Sequence, residues 1–169
     1  DKYISSLAQK APYQTNETKF KNKTQLQIIR DCEISIKEIA KLKNFCKRIK
    51  IDFLSTPFEI DSFKELIKIG VKTIKVSSCN LTNLPFLRHI GKHKKKIVIS
   101  TGMSYLNEVN EALKILVKSG TAKKNITVLH CNTEYPSPFK DINLKIILKI
   151  KKKLKVKIGY SDHSLGTIV

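Results

Sequence analysis

The chain has 169 residues, 41% of them hydrophobic, enough for one domain with a buried core and too apolar for a disordered tail. Its 33 basic and 14 acidic residues leave a net charge of +19. Arginine is confined to Arg30, Arg48 and Arg88, and no aromatic rings interleave the lysines as a nucleic-acid stacking surface requires, so the charge reads as compositional and no nucleic-acid partner is expected. No apolar run approaches the roughly 18 residues of a membrane span, and the start lacks the long apolar stretch of a secretory signal. The missing initiator Met and the apolar end, Leu165 to Val169, read as the edges of an internal segment.

Residues 1–33 read as irregular and polar. Ser35 with Glu38 forms a capping box before apolar positions at helical spacing, Ile36, Ile39, Ala40, Leu42, Phe45, Cys46 and Ile49. A strand over 51–55 follows and stops at Pro57. The next helix is expected near Ser62 to Ile69 with Gly70 closing it. A strand over 73–77 leads to a short helix that opens near Asn83-Leu84-Pro85 and ends at Gly91. After a strand over 97–100, Ser104 is expected to cap a long helix ending at Gly120. A strand over 127–130 precedes the turn Tyr135-Pro136-Ser137-Pro138. The last helix carries Leu144, Ile147, Leu148 and Leu154, and a strand over 156–160 closes the series.

Strands alternating with helices predict an α/β fold with a parallel sheet. No Gly-x-Gly-x-x-Gly follows any strand, which weakens a dinucleotide-binding sheet. Each strand ends in polar residues: Ser55-Thr56, Lys75 to Ser78, Ser100-Thr101, His130 to Thr133, and Ser161-Asp162-His163. A barrel gathers all strand C-termini at one mouth, so this pattern favours a (β/α)₈ barrel over an open sheet.

Within that pattern Lys75 is the sharpest residue. It lies between Ile74 and Val76, in a strand too apolar to solvate an ammonium, and calls for an anion or a carboxylate. Hydroxyls at Thr56, Ser78, Ser100 and Ser161 could add hydrogen bonds to phosphate oxygens. His163 is the best metal-ligand candidate, although one histidine does not make a site. Ser161-Asp162-His163 is no catalytic triad, because neighbours along an extended chain point to opposite faces. His130 reads as a packed histidine. The four cysteines, Cys32, Cys46, Cys79 and Cys131, form no Cys-x-x-Cys pair and read as free thiols, with Cys131 a buried small side chain.

Four segments carry a resemblance: Leu54-Ser55-Thr56-Pro57-Phe58, Ile99-Ser100-Thr101-Gly102-Met103, Leu129 to Pro136, and Gly159 to Gly166. With Ala11-Pro12-Tyr13-Gln14 and Leu81 to Pro85, they resemble motifs of the N-acetylneuraminate synthase family, in the family's order. The resemblance implies an incomplete (β/α)₈ barrel, strands three to seven of eight, making residues 1–169 a partial synthase domain. It also implies a cytoplasmic homodimer that condenses phosphoenolpyruvate with an N-acetylated amino sugar. Carried over by position, Thr56, Lys75, Ser78, Ser100, Thr133 and Ser161 would hold phosphoenolpyruvate, and Tyr135 would touch the sugar. Lys75 and His163 would be catalytic, with His163 on a divalent metal, manganese or magnesium. A pseudaminate synthase and a non-catalytic barrel remnant are the alternatives; His130-Cys131, where pseudaminate synthases tend to read Lys-Cys, favours the neuraminate or legionaminate type. Cys79-Asn80 departs from the family's usual Gly-Glu.

Overall fold

The computed structural model describes residues 5–16, 18–167 and 169. They fall into two compact units, Asp1–Leu42 and Lys43–Val169. In the first, the segment expected to be irregular instead forms α1 (Pro12–Asn16), a 3-10 turn (Thr18–Phe20) and α2 (Gln25–Asp31); residues 1–4 and 17 lie outside the described residues. The overlooked signal is a second capping box. Gln27 N–H donates to Thr24 Oγ1 at 3.2 Å, and Thr24 N–H donates to Gln27 Oε1 at 2.8 Å, satisfying two amides that a helix start leaves open.

The helix α3 (Ile36–Arg48) starts with the expected reciprocal pair: Ser35 N–H donates to Glu38 Oε2 at 2.8 Å and Glu38 N–H to Ser35 Oγ at 3.3 Å. It ends with Lys50 in the left-handed region, φ 61, while Ile51 N–H closes on Cys46 O at 2.9 Å and Lys50 N–H on Lys47 O at 3.2 Å. The expected strand over 51–55 is reduced to β1 (Leu54–Ser55), and that terminator removes Ile51 from it, because the Ile51 amide belongs to the helix end.

Five strands make the sheet of the second unit: β1, β2 (Thr73–Val76), β3 (Lys96–Ser100), β4 (Ile126–Cys131) and β5 (Lys157–Ser161). They lie in sequence order and every pair is parallel. An open doubly wound sheet reverses its strand order at a switch point; here no reversal occurs, as along the wall of a (β/α) barrel. Between the strands run α4 (Ile60–Lys68), α5 (Leu84–Gly91), α6 (Leu106–Lys118) and α7 (Lys145–Leu154).

The core lies on one face of this sheet. Register aligns Ile74 with Ile97 and Ile97 with Ile126, and Val76 with Ile99 and Ile99 with Val128. These six are essentially fully buried, as are Phe63, Leu87, Ile90 and Leu116 of the helices. Strand alternation therefore sends the intervening residues, Lys75, Val98, Ser100, Leu129 and Cys131, to the opposite face. Exposed Leu54 at the head of β1 belongs to that less covered face.

Two helix starts differ from expectation. α4 begins at Ile60 rather than near Ser62, capped by Glu59, whose carboxylate accepts from Ser62 N–H at 2.7 Å and from Asp61 N–H. A carboxylate at a helix N-terminus answers both the open amides and the dipole. At α6, Ser104 turns back to donate to Gly102 O at 3.1 Å, and Glu108 accepts from Tyr105 N–H at 2.6 Å instead. Gly70 (φ 76) and Gly120 (φ 122) close α4 and α6 in positive-φ turns, with Val71 N–H reaching Leu66 O and Thr121 N–H reaching Leu116 O.

Candidate active site

Parallel pairing brings the C-terminal ends of all five strands to one edge of the sheet, so the polar residues expected at those ends share a rim. Lys75 and Ser100 meet directly: Lys75 Nζ donates to Ser100 Oγ at 2.5 Å and to Val76 O at 3.3 Å. Ser100 is 4% exposed and Lys75 is half-buried. Among the described residues no carboxylate pairs with Lys75. Burial pushes the ammonium's pKa below the usual lysine range, opposed by the nearby sulfurs of Cys131 and Cys79. A half-buried ammonium with a buried hydroxyl and no counter-charge is suited to an anionic ligand.

Ser78 lies just past β2, in a 3-10 turn over Ser78–Asn80. Its Oγ accepts from Gly102 N–H at 2.9 Å and sits 3.5 Å from Cys131 Sγ. Three strand tips thus meet at one hydroxyl. Thr133 approaches the same point, because a Cβ on Gly102 would fall on Thr133 Cγ2. Thr56, just beyond β1, is half-buried. Asn80, which stands where a carboxylate was expected, is 6% exposed and structural: Nδ2 donates to Phe58 O at 3.1 Å, and Oδ1 accepts from Asn83 Nδ2 at 3.1 Å. Neighbouring Cys79 is exposed.

The register places Cys131 beside Ser161, which continues the rim to β5. Ser161 Oγ lies 3.2 Å from His163 Nε2, and the Tyr135 ring stacks on the His163 ring with centroids 4.2 Å apart at 25°. Ser137 N–H donates to His163 O at 2.8 Å, fastening the turn that carries Tyr135 to the segment after β5. His163 Nδ1 is buried without a hydrogen-bond partner. An orphaned imidazole nitrogen fits an electron-pair donor to a cation. Among the described residues no three His, Cys, Asp or Glu groups gather around a common point, so His163 fits as a single ligand.

The residues picked from sequence therefore form two linked groups, Lys75, Ser78, Ser100 and Thr133 on one side and Ser161, His163 and Tyr135 on the other, with Cys131 between them. His130 points to the helix-covered face, where it stacks on Tyr160 with centroids 5.6 Å apart. There it lines a cavity of about 470 Å³ with Ser104, Leu106, Val109 and Ile150. In the sequence Gly102 figures only within the Ile99-to-Met103 motif and Cys131 only as a buried small side chain; a glycine just past a strand is the local hint of a close backbone approach.

The sequence matches the NeuB family over residues 1–169. It is 45% identical over 163 residues to N,N'-diacetyllegionaminic acid synthase of Campylobacter jejuni, covering 96% of this chain and 48% of that protein. Its similarity to the enzyme of the same name in Legionella pneumophila is 33% over 171 residues, with 100% and 48% coverage. The chain thus spans about half the length of these curated relatives. The solved N-acetylneuraminic acid synthetase of Leptospira borgpetersenii superposes with a TM-score of 0.80 at 32% identity, covering 86% of this chain and 50% of that one. A DAHP synthase of Thermotoga maritima, at 16% identity and a TM-score of 0.65, shares the TIM-barrel-type fold alone. Sequential parallel strands, a shared polar rim and a family match along the entire length lead to one assignment: this chain belongs to the NeuB family.

Proposed function

We propose that this chain is part of the barrel domain of a synthase that condenses phosphoenolpyruvate with an N-acetylated hexosamine, giving a nine-carbon acid of the legionaminic or sialic type and phosphate. The observation that carries this reading is the half-buried Lys75 ammonium, bonded to buried Ser100 and with no carboxylate partner among the described residues. Phosphoenolpyruvate presents both a phosphate and a carboxylate to such a site. The similarity to two diacetyllegionaminic acid synthases favours a diacetylated 6-deoxy hexosamine as acceptor. A pseudaminic acid synthase reading is weaker, at 31% identity over 112 residues.

In this reading Lys75, Ser100, Ser78, Thr56, Thr133 and Ser161 hold phosphoenolpyruvate, and Tyr135 faces the sugar from its stack on His163. The enol carbon attacks the open-chain aldehyde, water adds at the pyruvyl C2, and the tetrahedral adduct expels phosphate by C–O cleavage. Lys75 and the hydroxyls neutralise the phosphate as it leaves. A divalent cation, manganese or magnesium, supplies Lewis-acid polarisation of the aldehyde when bound, and His163 is its ligand on this chain. The orphaned Nδ1 supports that role. The protein works in the cytoplasm, where phosphoenolpyruvate is available, as a homodimer.

The test is phosphate release from phosphoenolpyruvate by the full-length protein, with N-acetylmannosamine and diacetylated 6-deoxy hexosamines compared as acceptors. Lys75→Ala should lower turnover by about a hundredfold or more, and His163→Ala should abolish the stimulation by added manganese or magnesium. Wild-type-like rates for both variants would remove the reading.

A further inference from the structure

Ser78 is held from two directions by groups that the reaction itself does not consume. A serine hydroxyl has one proton to donate and two lone pairs to accept with. Gly102 N–H occupies one lone pair at 2.9 Å, and the Cys131 thiol stands 3.5 Å from the same oxygen. Building on the phosphoenolpyruvate reading, we propose that Gly102 and Cys131 are positioning residues: they fill both lone pairs of Ser78 so that its proton points outward, to the anion held by Lys75 and Ser100.

The polarity of this arrangement matters. A free serine at an anion site spends part of its time presenting oxygen lone pairs to the ligand, which repels it. With N–H and S–H both donating into Oγ, the only direction left for the Ser78 proton is away from both. Cys131 is 6% exposed, so its thiol is held in place by packing. The register also sets Cys131 beside Ser161 of β5, so it borders the polar rim itself. Gly102 is required for a different reason. Its φ is not in the positive region, so backbone freedom is not at issue. A side chain there would instead collide: its Cβ would fall on Thr133 Cγ2 and lie 3.0 Å from Ser78 Oγ and 3.3 Å from Cys131 Sγ. The missing Cβ is what lets the tips of β2, β3 and β4 close on one another.

The discriminating experiment uses the full-length protein and a double-mutant cycle. Cys131→Ala removes the S–H donor and should raise KM for phosphoenolpyruvate about three- to tenfold, with KM for the amino sugar unchanged. Cys131→Ser keeps a donor and should restore KM toward the unsubstituted value. In a Ser78→Ala background, Cys131→Ala should have no further effect, because its partner is gone. An unchanged KM in Cys131→Ala, an equal rise for both substrates, or an undiminished effect without Ser78 would each overturn the positioning role. Such results with active unsubstituted protein leave the synthase reading standing; no phosphate release from the unsubstituted protein with any acceptor overturns both.

Discussion

At Lys75, burial and charge pull in opposite directions. Burial lowers its pKa from the ordinary 10.5, whereas an anionic ligand needs the protonated form. KM for phosphoenolpyruvate should therefore climb as pH rises through the Lys75 pKa, beginning below 10.5. An arginine stays charged across the accessible range, so the alkaline rise should be missing in Lys75→Arg, whatever its absolute rate; a rise that survives there assigns the titration elsewhere. The sign for stability is the reverse of the familiar ion-paired case. In the window between the lowered folded pKa and the unfolded one, the unfolded chain binds more protons, so this group's contribution to stability improves as pH rises. Asn80 shows how a departure from family pattern is absorbed: its amide ties Phe58 O to Asn83, holding the segment after Thr56 without supplying a charge.

At the scale of elements, α5 and α6 pack in a close junction. Gly91 ends α5, and a Cβ on it would lie 2.7 Å from Ser119 Cβ and 3.1 Å from Leu116 O. The carbonyl of Gly91 also accepts from buried Thr121 Oγ1 at 3.1 Å. Gly91→Ala must separate the helices or strain that bond, and should destabilise the protein by about 1–3 kcal/mol, read as a lower midpoint in urea denaturation. A midpoint equal to the unsubstituted protein's would mean that the junction gives way freely.

Among the described residues β1 and β5 each pair on one side only, and α3 has no buried residue, with Leu42 and Phe45 of the helix and Ile49 just past it between 45% and 47% exposed. Unpaired strand edges and an uncovered apolar helix face drive association. Produced as these 169 residues alone, the chain should self-associate in light scattering at micromolar concentration and release no phosphate from phosphoenolpyruvate; a stable monomer would show that the edges are protected. Among the described residues no helix is long and apolar enough to cross a membrane.

The periodicity of this sequence was sufficient for the alternation of strands and helices in the second unit, because burial on a sheet or helix face selects residues at fixed intervals. Glycine and capping residues marked most helix ends for the same local reason, and the polar strand ends named Lys75, Ser100 and His163. Local pattern misjudged the first unit, where a Thr24–Gln27 box makes helix from a polar stretch, started α4 too late, where Glu59 caps it, and misplaced the cap of α6, where Glu108 takes the Tyr105 amide. Only the tertiary structure could bring Gly102 and Cys131 onto Ser78, or stack Tyr135 on His163. Those contacts join residues more than 20 positions apart, and their distances follow from strand register and helix packing, which no local run of residues encodes.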